Sequence, residues 1–320
     1  MSARGPAQRP NALTLPVLGI ETRFESNSAE VLSMAEEGFG AWRAAEGDPR
    51  VDMRPAYMRI EVVADAEMGD ASAPVRHEGT AHRLAVTSPA CDGVAEAATR
   101  TAHARVAESL VADRARFRAE VLDALTIALL VRLDRQPLHA AAVVDGGRAL
   151  LLSGPSGVGK STLTYAALRV GLKVMSEEIV FVEGDPVPRV WGMPSTINLL
   201  PDADAFFPEL TRITPTRLPN GDVKRIVSVR DMGGVPDAPV TERAGVCLLA
   251  RGEGGPRAER ISAEEAVEGL TAQLEPGFHF FAETIGARVR PFAERGAWRL
   301  ILPPHPADAL PALREMLEQL

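Results

Sequence analysis

Lysine is scarce in this chain of 320 residues: only Lys160, Lys173 and Lys224 stand among 35 basic side chains, and the rest are arginine. Where ammonium groups are so few, the position of each one carries information. Cysteine is scarcer still, with Cys91 and Cys247 alone. Two thiols build neither a disulfide framework nor a cysteine-rich zinc centre, and they fit a reducing, cytoplasmic setting as small buried apolar residues. A basic excess is missing too, since 43 acidic residues give a formal net charge of -8. That argues against the basic face which nucleic acid or an anionic membrane surface demands. No apolar run approaches the length that spans a bilayer. The opening MSARGPAQRPNA lacks the apolar core of an export signal and reads as a disordered lead-in. Internal repeats and low-complexity tracts are also missing. What remains, 46% hydrophobic and 24% charged, is ordinary for a globular protein of two modest domains.

One of the three lysines lies in a motif. Gly154, Pro155, Ser156, Gly157, Val158, Gly159, Lys160 and Ser161 match the phosphate-loop pattern G-x-x-x-x-G-K-[ST] completely. With this composition a chance match somewhere in the chain is on the order of one in several hundred, so the signal is strong. Its context agrees: Arg148 to Ser153 (RALLLS) predicts a short buried strand entering the loop, and Thr162 to Val170 has the apolar spacing of a helix leaving it. Strand, glycine loop and helix aim backbone N–H groups and a helix N-terminus at a phosphate chain. Gly154 to Thr162 is therefore the expected nucleoside-triphosphate-binding segment. Lys160 is expected on the β- and γ-phosphates, and the Ser161 hydroxyl on Mg²⁺.

The pattern predicts an α/β chain in three parts. Residues 1–92 read as a small sheet-rich domain, with strands at Leu15–Phe24, Tyr57–Ala64 and Thr80–Ser88 and a helix over Ala29–Ala45. Residues 93–133 read as a connecting helical region whose second half, VLDALTIALLVRL, is apolar on nearly every side. Residues 134–320 hold the loop. There Leu138–Val144, the turn Asp145-Gly146-Gly147 and RALLLS predict a β-hairpin that feeds the loop. Lys173–Val182 (KVMSEEIVFV) predicts the next strand, Pro219-Asn220-Gly221 a turn, Val246–Ala250 a buried strand and Ala307–Leu320 a closing helix.

Glu177 and Glu178 follow the loop lysine on that next strand. A triphosphate-bound magnesium wants a hard oxygen ligand, and transfer to an alcohol wants a proton acceptor. Adjacent strand residues face opposite ways, so an ideal strand aims only one of the pair into the site. The plainer alternative is a solvated charge pair. His139, on the first hairpin strand, is either a core histidine or a catalytic neighbour of the loop. Lys224 and Arg225 are either a phosphate clamp or a basic pair on an exposed strand. His77 and His82 read as surface and His279 as packing, while His103 and His305 carry no signal.

Taken together, LHAAAVV, LLLSGPSGVGKSTL and KVMSEEIVFV resemble the HPr kinase/phosphorylase family, whose members carry a strand histidine, the phosphate loop and a paired-carboxylate strand in this order. The resemblance covers roughly residues 120–320 and extends more weakly through RVWGMPSTINLLPDA to the last helix. It implies a phosphate-loop core shared with phosphoenolpyruvate carboxykinase, a mixed sheet in which a hairpin enters the loop. The implied activity is transfer of phosphate from ATP to a serine hydroxyl of a protein, a peptide or free serine. The implied roles are phosphate binding for Gly157, Gly159 and Lys160, magnesium binding for Ser161 and Glu177, and proton acceptance for Glu178 supported by His139. The family normally carries Asp-Asp where this chain has Glu-Glu, which moves each carboxylate out by about one bond, beyond the roughly 0.5 Å that catalytic sites usually tolerate. A nucleotide-binding partner protein with weak or absent transferase activity is therefore the alternative. A homo-oligomer is compatible with either.

Overall fold

Leu13, Leu15 and Val17 are apolar at alternate positions, and the computed structural model, which describes residues 11–218, 221–252, 255–273 and 279–320, shows what they build. Two compact units form, Met1–Arg135 and Gln136–Leu320. The first ten residues of the lead-in, Pro219 and Asn220 of the expected turn, and the side chain of His279 lie outside the described residues.

In the first unit, seven strands make one sheet: β1 (Asn11–Val17), β2 (Ile20–Ser26), β3 (Asp52–Val63), β4 (Arg76–Gly79), β5 (Arg83–Ser88), β6 (Cys91–Glu96) and β7 (Thr101–Ala107), ordered β1-β2-β3-β7-β6-β5-β4. The single strand expected over Leu15–Phe24 is a hairpin instead. Leu18 (φ 50°) and Gly19 (φ 69°) form its two-residue turn, the conformation that suits the strand twist. Arg135, itself buried, donates to the Leu18 carbonyl at 2.6 Å, which ties down this left-handed leucine. Along β3 the side chains alternate, with Ala56, Met58 and Ile60 buried and Tyr57, Arg59 and Glu61 exposed. β2 packs on α1 (Ala29–Phe39), where Phe24 stacks on Phe39 with centroids 5.6 Å apart.

The stretch 93–133 is not a helical connector. It completes β6, forms β7 and then runs through α2 (Glu108–Ala112), α3 (Arg114–Phe117), a π-helical turn (Arg118–Leu122) and α4 (Asp123–Arg132). All of this belongs to the first unit, whose boundary falls after Arg135. The apolar run does become a buried helix, with Leu125, Leu129 and Leu130 inaccessible to solvent. Alanine richness was misleading in its first half, because small residues also suit the buried face of a crowded sheet.

In the second unit the chain passes through β8 (Gln136–His139), β9 (Ala141–Asp145), β10 (Arg148–Ser153), α5 (Lys160–Arg169), β11 (Lys173–Ser176), β12 (Ile179–Glu183), β13 (Arg189–Trp191) and β14 (Thr196–Leu199). It continues with β15 (Thr216–Arg217), β16 (Val223–Ser228), β17 (Val240–Thr241), β18 (Arg243–Arg251), β19 (Arg257–Arg260), α6 (Ala263–Thr271), α7 (Ala282–Arg295), β20 (Ala297–Leu302) and α8 (Leu310–Glu318). The central sheet is β11-β9-β10-β18-β20-β19, flanked by β17-β13-β12-β8 and β14-β16-β15. β10, β18 and β20 run parallel, and the other pairs of the central sheet are antiparallel. The unit is mixed α/β with several sheets.

Each face of the central sheet has its own core. On one, Ala141, Val143, Leu150 and Leu152 pack against Leu163 and Ala167 of α5 and Leu313 and Leu317 of α8. On the other, Ala142, Val144, Ala149 and Leu151 pack against Leu270 of α6 and Ile285, Val289 and Phe292 of α7. Cys91 and Cys247 are both buried free thiols, and burial pushes the Cys91 thiol up to about 12. Among the described residues no helix is long and apolar enough to cross a membrane.

Candidate functional site

The expected hairpin forms, with β9 and β10 pairing antiparallel across Gly146 and Gly147. β10 ends at Ser153, the loop Gly154–Gly159 follows, and α5 starts at Lys160. Glycine is required here for identifiable reasons. A Cβ on Gly154 would lie 2.8 Å from the Leu249 carbonyl, and Gly157 (φ 77°) and Gly159 (φ 113°) hold left-handed backbone. Gly159 is the residue before the helix and has no side chain to cap it. The first N–H groups of α5 therefore have no side-chain acceptor from that position, which suits an incoming anion. Val158 is buried and pins the loop, while Pro155, Ser156 and Gly157 are exposed. Thr162 is half-buried in the first turn of α5. These features fit a phosphate chain.

Both neighbouring strand lines change sheet at one level. The apolar piece 138–144 breaks at Ala140, separating β8 from β9, and the single strand expected over Lys173–Val182 breaks at Glu177–Glu178, separating β11 from β12. Ser176 opposes Ala142 and Ile179 opposes His139, so the same offset holds on both sides of the break. Glu177 thus stands across from Ala141 and Glu178 across from Ala140. A bulge at Met175 sets this arrangement, for the register slips by one residue between Val174 and Ser176. It turns Glu177 onto the α5 face shared by Ala141.

The side chains follow from that placement. Glu177 is 6% exposed and accepts a hydrogen bond from the Ser161 hydroxyl. Glu178, one residue on, is exposed. Burial raises the Glu177 carboxyl above its ordinary range; the Ser161 hydroxyl opposes this, the Glu178 charge adds to it, and the Asn198 backbone N–H and Lys160 pull back without cancelling it. Lys160 Nζ lies 2.5 Å from His139 Nε2. For the ammonium to donate there, Nε2 must be the unprotonated ring nitrogen. The imidazole thus meets Lys160, where the family resemblance pairs it with Glu178. Ser153, the last residue of β10, donates from its hydroxyl to the His139 carbonyl at 3.1 Å and fastens the break to the loop strand.

Ser161 and Glu177 present two hard oxygens side by side, a donor set that suits Mg²⁺. Among the described residues no group of three or more His, Cys, Asp or Glu could hold a metal alone.

Other candidates lie apart from these groups. Arg225 is buried and engaged, donating to Asp204 at 2.8 Å and to the Ile213 carbonyl, so the clamp reading gives way to a structural one. Lys224 stands 3.7 Å from Asp222. His77, His82 and His103 are exposed, and His305 accepts from the Ala307 N–H through Nδ1 at 3.2 Å. Asn198 on β14 escaped the sequence reading because it contributes a backbone N–H, to which residue type gives no clue.

No family model matches the chain, and no curated protein matches it. Among solved structures the chain is similar to that of the Hpr(Ser) kinase/phosphatase from Coxiella burnetii, at 15% identity and a TM-score of 0.28, over 58% of this chain and 95% of that one. The likeness is distant, and the functional reading rests on the side chains themselves.

Proposed function

We propose that this chain is a Mg²⁺-dependent kinase that transfers the γ-phosphoryl group of ATP to a serine or similar hydroxyl of a peptide, a small protein or a small molecule. The observation that carries the reading is the convergence of Lys160 and Ser161, at the start of α5, with the buried Glu177 and with His139 at the break between sheets. The loop N–H groups and Lys160 bind the phosphates, and Lys160 meets charge building on the β,γ-bridging oxygen. Ser161 and Glu177 would hold a magnesium ion, which would supply neutralisation of the phosphate charge. Glu178 faces solvent, where an acceptor arrives. Its carboxylate takes the acceptor's hydroxyl proton as that oxygen bonds to the γ-phosphorus, while the bond from phosphorus to the bridging oxygen breaks and leaves ADP.

A second reading is a nucleotide-binding partner protein with little transferase activity. The imidazole's contact with Lys160 favours it, because the resemblance assigns that ring to the base. One experiment separates the two. Mg-ATP is titrated calorimetrically into the parent and Lys160→Ala, and γ-labelled ATP is incubated with serine and serine-bearing peptides. The kinase reading expects binding that Lys160→Ala weakens by about 10²-fold or more, together with label on an acceptor. Binding without transfer to any hydroxyl selects the partner reading, and equal affinity in parent and variant removes both.

A further inference from the structure

The start of α5 carries the positive end of a helix dipole, and Lys160 adds an ammonium there. A third positive group arrives from another element. Arg251 is the last residue of β18, the parallel neighbour of β10, so it leaves the sheet at the same end as the loop. A Cβ on Gly159 would lie 2.8 Å from Arg251 Nη2 and 3.6 Å from its Cζ. The tip of the guanidinium therefore lies beside the Gly159 backbone. Its Nη1 donates to the Pro303 carbonyl at 3.2 Å, from the segment that follows β20. Among the described residues no carboxylate pairs with this guanidinium.

Arg251 is exposed beside the positive end of α5, and a guanidinium placed there favours an anion. Ligands of open α/β sheets also gather beyond the carboxyl ends of the parallel strands, which is where Arg251 stands.

We propose that Arg251 is a phosphate-binding residue, its guanidinium contacting a non-bridging oxygen of the nucleotide's phosphate chain from β18 while Lys160 reaches the chain from α5. The inference rests on the nucleotide reading above and adds a residue that the loop motif does not contain.

The test uses the full chain as parent, Arg251→Gln and Arg251→Lys, each titrated calorimetrically with Mg-ATP and with Mg-tripolyphosphate at two salt concentrations. Arg251→Gln is expected to weaken both ligands by roughly tenfold, the scale of one charge-assisted hydrogen bond. Its binding should also depend less on salt, with an unchanged melting temperature, and Arg251→Lys should recover part of the loss. Undiminished tripolyphosphate binding by Arg251→Gln overturns the proposal. So does a loss confined to ATP, which would put the arginine on the nucleoside. A parent that binds neither ligand defeats the nucleotide reading itself, and the inference falls with it.

Discussion

In the first unit seven strands stay in one sheet, and β3 keeps a buried row on the side of α2 and α4 and an exposed row on the other. In the second unit two adjacent strand lines leave one sheet and enter another at the same level, at Ala140 and at Glu177–Glu178. Strands that stay in one sheet, even with the irregularity between Ile20 and Thr22, spread their charges along its face. Across the exposed face of the first unit Glu25, Arg59 and His103 are cross-strand neighbours, a solvated row with no focus. A shared break concentrates unlike groups instead. Side chains from β8, α5 and the β11–β12 bend meet there, with a backbone donor from β14. Unlike side chains collect where the strands change sheet.

Substitutions at the break and on the ladder should therefore behave differently. The largest effect is expected from Glu178→Gln, with turnover falling about 10²- to 10⁴-fold, the range of an acid–base group, while Mg-ATP affinity is retained. A single-turnover transfer assay checks it, and parental turnover would reduce Glu178 to a solvated charge.

His139→Asn comes next. Asparagine is polar but does not extend as far as the imidazole Nε2 that meets Lys160. Transfer should slow by about tenfold to 10²-fold, with Mg-ATP affinity down a few fold. An early-melting variant with the parental rate per folded molecule would make His139 a packing residue.

Glu177→Gln separates stability from binding. The Glu177 carboxyl lies above its ordinary 4.5 in the folded chain, so the fold holds its proton more tightly than the unfolded chain does. Stability from this group is full below the ordinary value and is lost as pH rises through the raised one. The glutamine variant removes that loss. Its nucleotide-free melting temperature should exceed the parent's near pH 7, and the margin should close below about pH 4.5. The Mg²⁺ requirement for binding should rise in the same variant. A margin that does not change with pH would contradict the burial argument.

The smallest effect is expected on the ladder. Arg105 and Glu67 form an exposed ion pair at 2.5 Å, and Arg105→Ala should cost less than about 0.5 kcal/mol in a denaturant melt and leave Mg-ATP affinity unchanged. A large loss in either would mean that the first unit contributes more than a solvated face.

Much of the candidate site's local geometry was legible because its signals are local. The glycine loop, its lysine and serine, the hairpin across Asp145-Gly146-Gly147 and the buried helix ending at Arg132 all depend on residues close together in the chain. The breaks at Ala140 and at Glu177 were not legible, since a strand that changes sheets keeps its apolar pattern while its partners change. The hairpin at Leu18 was hidden because leucine seldom adopts positive φ, and here the buried Arg135 secures it. Arg251 and the Asn198 N–H belong to strands far along the chain, and only the fold brings them near the loop.

The bulge at Met175 reaches beyond its own strand. Had the ladder continued evenly from Val174, Glu178 would point toward α5 and Glu177 away from it. Two chemically identical residues thus acquire different surroundings by position alone, and that position is set at the bulge two residues before Glu177. Anyone transplanting this loop and glutamate pair into another scaffold must carry the irregular methionine with it, or the two carboxylates will exchange places. Aligning a distant sequence here calls for the same care, since one gap at this point decides which acidic residue corresponds to which.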